Sequence, residues 1–64
     1  MESEKLLTAD EVAAVLNVSR KSVYKWAEAG RLPFIRLGGR VVRFDPGAVR
    51  QFIESGRRNE EVMN

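Results

Sequence analysis

With 64 residues the chain is long enough for one small domain, and a domain of this size buries only about 60% of the surface that its unfolded form exposes. Cysteine and histidine are absent, so disulfides, thiolate metal sites and an imidazole general base are excluded, and we expect no metal, no cofactor and no enzymatic activity. No apolar run approaches the roughly 18 residues of a membrane span, and the start "MESEKLL" is acidic where a signal peptide is basic. These features predict a cytoplasmic protein that folds by apolar packing and helix capping.

The net charge of +2 is distributed unevenly along the chain. Residues 19–44 contain seven basic side chains against Glu28 alone, so this segment carries +6 and the rest of the chain −4. The seven basic residues are Arg20, Lys21, Lys25, Arg31, Arg36, Arg40 and Arg43. A cationic segment between acidic flanks is typical of a surface that binds a polyanion. The alternative is a solvated surface on which the charges cluster by chance.

Three helix starts share one pattern, an N-cap residue between two apolar residues. Thr8 and Glu11 form a capping box, in which each side chain accepts a backbone N–H of the first turn, before a helix predicted over residues 9–16. Ser19 has the chemistry of a second N-cap, and Asp45 followed by Pro46 has that of a third. At each start, one apolar residue precedes the N-cap and another follows it by four positions, so the two side chains can pack together. These pairs are Leu7 with Val12, Val18 with Val23, and Phe44 with Val49.

Glycines predict where the second and third helices end. Gly30 and Gly56 occupy positions that favour a left-handed C-cap, because a residue without Cβ adopts that conformation easily. The predicted order of elements is therefore helix, helix, hairpin, helix. We expect one folded domain over residues 6–56, with a flexible tail at 1–5 and a flexible acidic tail at 57–64.

The connection between the first two helices is only two residues long, "NV". Asn17 tolerates the left-handed conformation that a tight inter-helix turn requires, and Val18 can point back into the core. Two helices joined so closely must cross steeply, with the small Ala13 at the crossing. The apolar residues have the spacing of a helix-turn-helix over residues 9–28. They are Val12, Leu16, Val18, Val23 and Trp26. Glycine is more usual at the position of Asn17, and asparagine is the next best residue there.

The second helix is predicted to have an inward and an outward face. Val23, Trp26 and Ala27 follow helical spacing toward the core. The outward residues near the N-terminal end, which is the end that enters a major groove, are Arg20, Lys21, Tyr24 and Lys25. The first turn also offers free N–H groups and a positive dipole, so Ser19 and Ser22 could add hydroxyl contacts to a phosphate. The alternative for these residues is a solvated amphipathic face.

The stretch "FIRLGGRVVRF" predicts a β-hairpin whose two-residue turn is Gly38 and Gly39, both with positive φ. This turn would pair Leu37 with Arg40, Arg36 with Val41, Ile35 with Val42, and Phe34 with Arg43. Because side chains alternate between the faces of a strand, one apolar face is expected toward the helices. It would consist of Ile35, Leu37, Val42 and Phe44.

The same hairpin is predicted to present its arginines away from the helices. Arg36 and Arg43 would lie on the outer face, and Arg40 would lie at the tip. A tip that includes the bare Gly39 lets the backbone approach DNA closely, and arginines beside it suit phosphates or a narrow minor groove. The alternative is that these arginines only keep the hairpin soluble.

With these elements in this order, the chain resembles the excisionase-type winged helix-turn-helix domain, which is related to the DNA-binding domain of MerR-type regulators. The resemblance covers residues 6–54 and is carried most specifically by "VSRKSVYKWAEAGRLP" and "RLGGRVVRF". It implies a mainly α fold with a helix-turn-helix, a two-stranded wing and a C-terminal helix. It also implies that Arg20, Lys21, Tyr24 and Lys25 lie toward the major groove. Gly39, Arg40 and Arg43 would lie toward the DNA backbone or the minor groove.

The function that this resemblance implies is sequence-specific binding of double-stranded DNA. An excisionase, or recombination directionality factor, would be a bacterial or phage protein that acts beside an integrase or recombinase. It would be a monomer in solution and would assemble head to tail on repeated sites that it bends. The alternatives are a small MerR-like transcriptional regulator and a protein-interaction module of the antitoxin or adaptor kind. A typical effector-sensing MerR regulator is disfavoured, since no long coiled-coil helix or ligand domain follows Gly56.

Overall fold

The computed structural model describes the backbone of residues 5–63 and the side chains of residues 5–57. Its elements, in chain order, are α1 (Ala9–Leu16), α2 (Arg20–Glu28), β1 (Ile35–Leu37), β2 (Val41–Arg43) and α3 (Pro46–Met63). The two strands form an antiparallel hairpin between the second and third helices. This architecture confirms the predicted fold class and the predicted extent of the first helix.

The start and the end of α1 follow the predicted chemistry. The Thr8 backbone N–H donates to Glu11 Oε1 at 2.8 Å, and the Glu11 N–H donates to Thr8 Oγ1 at 3.1 Å, which completes the capping box. At the other end Asn17 is left-handed, with φ 60° and ψ 47°, and the Val18 N–H donates to the Ala13 carbonyl at 3.0 Å. The left-handed conformation of Asn17 turns the chain sharply at the end of α1, so that α2 crosses α1.

The hydrophobic core lies where the three helices and the hairpin meet. Val12, Val23, Leu32 and Phe44 are fully buried, and four further residues are nearly so: Ala9, Ala13, Ala27 and Val49. All three apolar pairs predicted across the helix starts belong to this core or pack against it. Trp26, predicted as a core residue, lies at the edge of the core, with its ring centroid 5.1 Å from that of Phe52.

The third helix begins as predicted but does not end as predicted. Asp45 Oδ2 accepts the Ala48 N–H at 3.3 Å, with Pro46 as the first helical residue. The prediction that this helix stops at Gly56 is wrong, because α3 continues to Met63. A glycine inside a helix costs only about 1 kcal/mol relative to alanine, so it does not by itself end a helix. Gly30, by contrast, has φ +80° directly after the C-cap of α2.

The predicted tails lie largely beyond what the structure describes. Residues 1–4 and 64 are outside the described backbone, and the side chains of 58–63 are not described. The division into a domain over 6–56 with two flanking tails therefore stays a prediction.

The hairpin register differs by one residue from the prediction. The pairs are Ile35 with Arg43, Arg36 with Val42, and Leu37 with Val41. Arg40, predicted to pair with Leu37, is instead the third loop residue, and its N–H donates to the Leu37 carbonyl at 3.4 Å. Gly38 and Gly39 do have positive φ, +61° and +86°, but the loop has three residues, and this shifts the second strand by one position.

This shift changes which residues share a face of the hairpin. Directly paired residues lie on the same face, so Ile35 and Leu37 lie with Val41 and Arg43, whereas Arg36 lies with Val42. The predicted apolar face of Ile35, Leu37, Val42 and Phe44 is therefore wrong, and so is the predicted common outer face of Arg36 and Arg43. Val42 and Phe44 pack in the core, while Leu37 and Val41 are 44% and 42% exposed.

An isolated β-bridge, which the sequence did not predict, ties the hairpin to the start of α1. The N–H of Leu7 donates to the carbonyl of Phe44, and the N–H of Phe44 donates to the carbonyl of Leu7, both at 2.8 Å. The bridge fixes the end of β2 beside the capping box of α1. Within residues 5–63, no helix combines the length and apolar character that crossing a membrane requires.

Candidate nucleic-acid interface

A concave groove lies between the start of α1, the start of α2 and the second strand of the hairpin. It has a volume of about 270 Å³ and is open to solvent. Nine of the residues that the structure describes line it: Thr8, Ala9, Asp10, Arg20, Tyr24, Arg40, Val41, Val42 and Arg43. Three of these residues are arginines from two separate segments, so the fold brings together charges that lie about twenty residues apart in the sequence.

The first turn of α2 forms one wall of the groove. Ser19 Oγ accepts the Ser22 N–H at 3.2 Å, and the two serine hydroxyl oxygens are also 3.2 Å apart. Both predicted serines therefore take part in the N-cap, and the cap sets the direction in which the helix begins. Arg20 and Tyr24, one helical turn apart, reach the groove from this helix. Tyr24 is 41% exposed although it is aromatic.

Arg20 forms an ion pair inside the groove. Its Nη1 lies 3.5 Å from Oδ1 of Asp10, and the two side chains are 62% and 73% exposed. Asp10 belongs to the first turn of α1. Sequence reasoning missed this contact because ten residues separate the two partners, and only the crossing of the helices brings them together.

The hairpin forms the opposite wall. Arg43 is half-buried, and its Nη1 donates to the Val42 carbonyl at 2.8 Å, which holds the side chain along the strand. Arg40 extends from the loop and is exposed. At Gly39 an added Cβ would meet nothing within 4 Å, so the backbone conformation, with φ +86°, is what favours glycine there.

Of the ten predicted site residues, four line the groove together: Arg20, Tyr24, Arg40 and Arg43. The other six lie outside its lining, and they are Ser19, Lys21, Ser22, Lys25, Arg36 and Gly39. Arg36 lies on the face of the hairpin opposite Arg43, and its guanidinium carbon is 5.7 Å from the ring centroid of Phe34. Lys21 and Lys25 are exposed on α2 outside the groove.

Among its described lining residues the groove has three arginines against one carboxylate, that of Asp10, so this lining is electropositive. Guanidinium groups present a planar set of donors that match a phosphate or the edge of a guanine. Among the residues that the structure describes, no group of histidine, cysteine, aspartate or glutamate could hold a metal ion.

The chain belongs to the helix-turn-helix domain family, whose match covers residues 6–57 and thus extends from the segment before α1 into α3. Over 50 residues it is 42% identical to "Putative DNA-binding protein MT0521" of Mycobacterium tuberculosis strain CDC 1551 / Oshkosh. It is equally similar to "Putative DNA-binding protein Rv0500A" of strain ATCC 25618 / H37Rv. Each alignment covers 78% of this chain but only 63% of the relative's length.

Proposed function

We propose that this chain binds double-stranded DNA, with α2 in the major groove and the hairpin against the backbone or the minor groove. The observation that carries this proposal is the groove in which Arg20, Arg40 and Arg43 converge from the helix and the hairpin. Membership of the helix-turn-helix family supports it, and so do two relatives whose names describe DNA binding. The role needs no catalytic step.

The dimensions of α2 support this arrangement. An α-helix with its side chains is about 10 to 12 Å across, and the major groove of B-DNA is about 12 Å wide, so the first turns of α2 can enter it. Arg20 and Lys21 stand at the N-terminal end, where recognition helices touch base edges. Tyr24 and Lys25 follow one turn later, within reach of sugar and phosphate. The core side of the same helix holds Val23 and so fixes its orientation.

The hairpin is proposed to contact the DNA backbone. Arg40 is exposed on a loop whose two glycines leave the backbone open on that side. The bridge between Leu7 and Phe44 holds β2 against the start of α1, so the hairpin and α2 keep a fixed separation. Because this separation is fixed, the hairpin and α2 can contact one duplex without a large loss of conformational entropy on binding.

We expect single substitutions to separate base reading from backbone binding. Arg20→Ala or Lys21→Ala should cost about 1 to 3 kcal/mol on the preferred site and relax its sequence preference, because contacts to base edges are lost. Arg40→Ala should weaken binding to preferred and random duplexes alike. Selection of the preferred site from a random duplex library, followed by fluorescence anisotropy on both DNAs, measures the difference.

Arg31→Ala is the matched control, because Arg31 is exposed but lines a different surface, beside Phe52 and Ser55. It should leave both affinities nearly unchanged. A change of sequence preference in Arg40→Ala, with unchanged binding to random DNA, would show that the hairpin reads bases and that its proposed backbone role is wrong.

The finer role that we propose is that of an excisionase-type architectural factor, on the strength of the resemblance of residues 6–54. A single module of this size buries on the order of 600 to 1,000 Å² on DNA, which is too little for tight selective binding, so neighbouring molecules must assist. The acidic residues predicted to meet a neighbour's arginines are Glu2, Glu4, Glu60 and Glu61, and they lie outside the side chains that the structure describes.

The architectural role predicts monomers by sedimentation without DNA and cooperative filling of tandem sites. The bound DNA should be bent, which circular-permutation gels detect as a position-dependent mobility. The affinity for a duplex with one site is the reference from which the cooperativity of binding to tandem sites is calculated. Independent filling of adjacent sites on unbent DNA would contradict this role and favour a simple operator-binding regulator. Binding to an acidic protein with no binding to duplex DNA would favour an interaction module instead.

A further inference from the structure

Asp10 is an acidic residue placed in the lining of an otherwise basic groove. Its carboxylate is 73% exposed and faces the same opening as the guanidinium groups of Arg40 and Arg43. A DNA phosphate that enters the groove must come near this carboxylate, and two like charges repel each other. If the groove served only to attract phosphates, a carboxylate in its lining would oppose that purpose.

The geometry of the ion pair indicates what Asp10 does. Its Oδ1 is 3.5 Å from Nη1 of Arg20, the arginine at the first position of α2. An exposed pair at this distance is weak, so it does little for folding, but it does bias which way a long side chain extends. Arg20 held by Asp10 is less available to a phosphate and remains at the helix end that faces base edges.

We infer that Asp10 is a positioning and specificity-determining residue, which restrains Arg20 and disfavours phosphates in the groove, so that binding to random DNA is suppressed relative to the preferred site. This inference rests on the proposed DNA binding. On this inference, specificity comes partly from weakening the complex with random DNA. Where Arg20 meets only a phosphate, that phosphate also lies close to the Asp10 carboxylate, and the repulsion between the two negative charges weakens binding.

A different explanation of Asp10 is a structural one. Asp10 stands in the first turn of α1, where a negative charge interacts favourably with the helix dipole. That effect would stabilise the fold and would not depend on Arg20. The two explanations are therefore separated by a second substitution at Arg20.

The experiment compares Asp10→Asn with the intact chain on two duplexes, the site selected by the intact chain and a random sequence. Because Arg20 is released and one repulsive charge is lost, Asp10→Asn should bind random DNA about three- to fivefold more tightly. The ratio of preferred to random affinity should fall by at least the same factor. The slope of log affinity against log salt on random DNA should steepen by up to about 0.9, which corresponds to one more neutralised phosphate.

Glu54→Gln is the matched control, because it also replaces a carboxylate that pairs with an arginine, Arg57, at 3.7 Å, but outside the groove. It makes the same change of net charge, so any general effect of charge appears in both variants. In an Arg20→Gln background, Asp10→Asn should change the ratio of preferred to random affinity much less than in the intact chain, because only the direct repulsion between Asp10 and a phosphate remains to be removed. Thermal melting by circular dichroism confirms that each variant is folded.

Three results would overturn the inference. An equal effect of Asp10→Asn and Glu54→Gln on random DNA would assign the change to net charge alone. An undiminished effect in the Arg20→Gln background would show that Asp10 does not act through Arg20. A loss of affinity for random DNA in a folded Asp10→Asn protein would show that Asp10 assists binding. If the intact chain does not bind duplex DNA, the proposed function itself fails, which is a separate outcome.

Discussion

Phe44→Ala is expected to leave much of the protein unfolded at room temperature. Removing a buried phenylalanine side chain costs about 3 to 5 kcal/mol through lost burial and the cavity that remains. The total stability of a 64-residue domain is roughly 3 to 10 kcal/mol, so this one loss is comparable to the whole. Phe44 is fully buried, and its backbone bridges to Leu7 directly before the N-cap of α3, so the cavity left by its side chain lies where the hairpin meets two helices.

Phe34→Ala is the matched control for this prediction. Phe34 directly precedes β1 and lies at the same end of the hairpin as Phe44, but it is 38% exposed, and its ring contacts the guanidinium of Arg36. We expect a loss of only about 0.5 to 1 kcal/mol, the size of an exposed cation–π contact. Urea unfolding followed by circular dichroism gives both values. A smaller loss for Phe44→Ala than for Phe34→Ala would contradict the assignment of Phe44 to the core.

Local signals in the sequence were sufficient for most of the helical framework. The capping box at Thr8 and Glu11, the left-handed Asn17 and the apolar pairs across helix starts each depend on residues within five positions of one another. Such interactions act wherever the segment lies in the fold, so the sequence alone predicts them. The inward direction of Val23 on α2 followed in the same way from helical spacing.

The errors in the hairpin and in α3 come from glycines whose role depends on context. Two adjacent glycines favour a two-residue turn, but the chain includes Arg40 in the loop, and the register moves by one. Leu37 is thereby exposed and Val41 leaves its predicted pairing with Arg36. At Gly56 an added Cβ would meet nothing within 4 Å, so the helix passes through an open position without a packing reason to stop.

The groove could be predicted only in part. Arg20, Tyr24, Arg40 and Arg43 were selected from the sequence by charge, helical face and proximity to the turn, and the fold brings these four together. The contributions of Asp10 and of the Leu7 bridge to Phe44 could not be predicted, because each depends on how distant elements meet. Contacts of this kind are fixed by tertiary packing rather than by local spacing.

The most direct test of the proposed groove is the salt dependence of binding to a random duplex. Neutralising about 4 to 6 phosphates releases condensed counterions, so log affinity should fall with log salt at a slope of roughly −4 to −5. Between about 50 and 200 mM salt the affinity should therefore fall by a factor of roughly 250 to 1,000. We attribute this slope to the three arginines of the groove together with the exposed Lys21 and Lys25 on α2, so each cation should contribute about 0.9 to it.

Two variants locate the effect on the protein. Arg40→Ala removes a cation from the groove and should make the slope shallower by about 0.9, the contribution of one phosphate contact. Arg57→Ala removes a cation from α3, outside the groove, and should leave the slope unchanged. Fluorescence anisotropy over a series of salt concentrations measures all three proteins. A slope of −4 to −5 that becomes shallower only in Arg40→Ala is the predicted result, whereas a slope near zero, or an equal change in both variants, would contradict it.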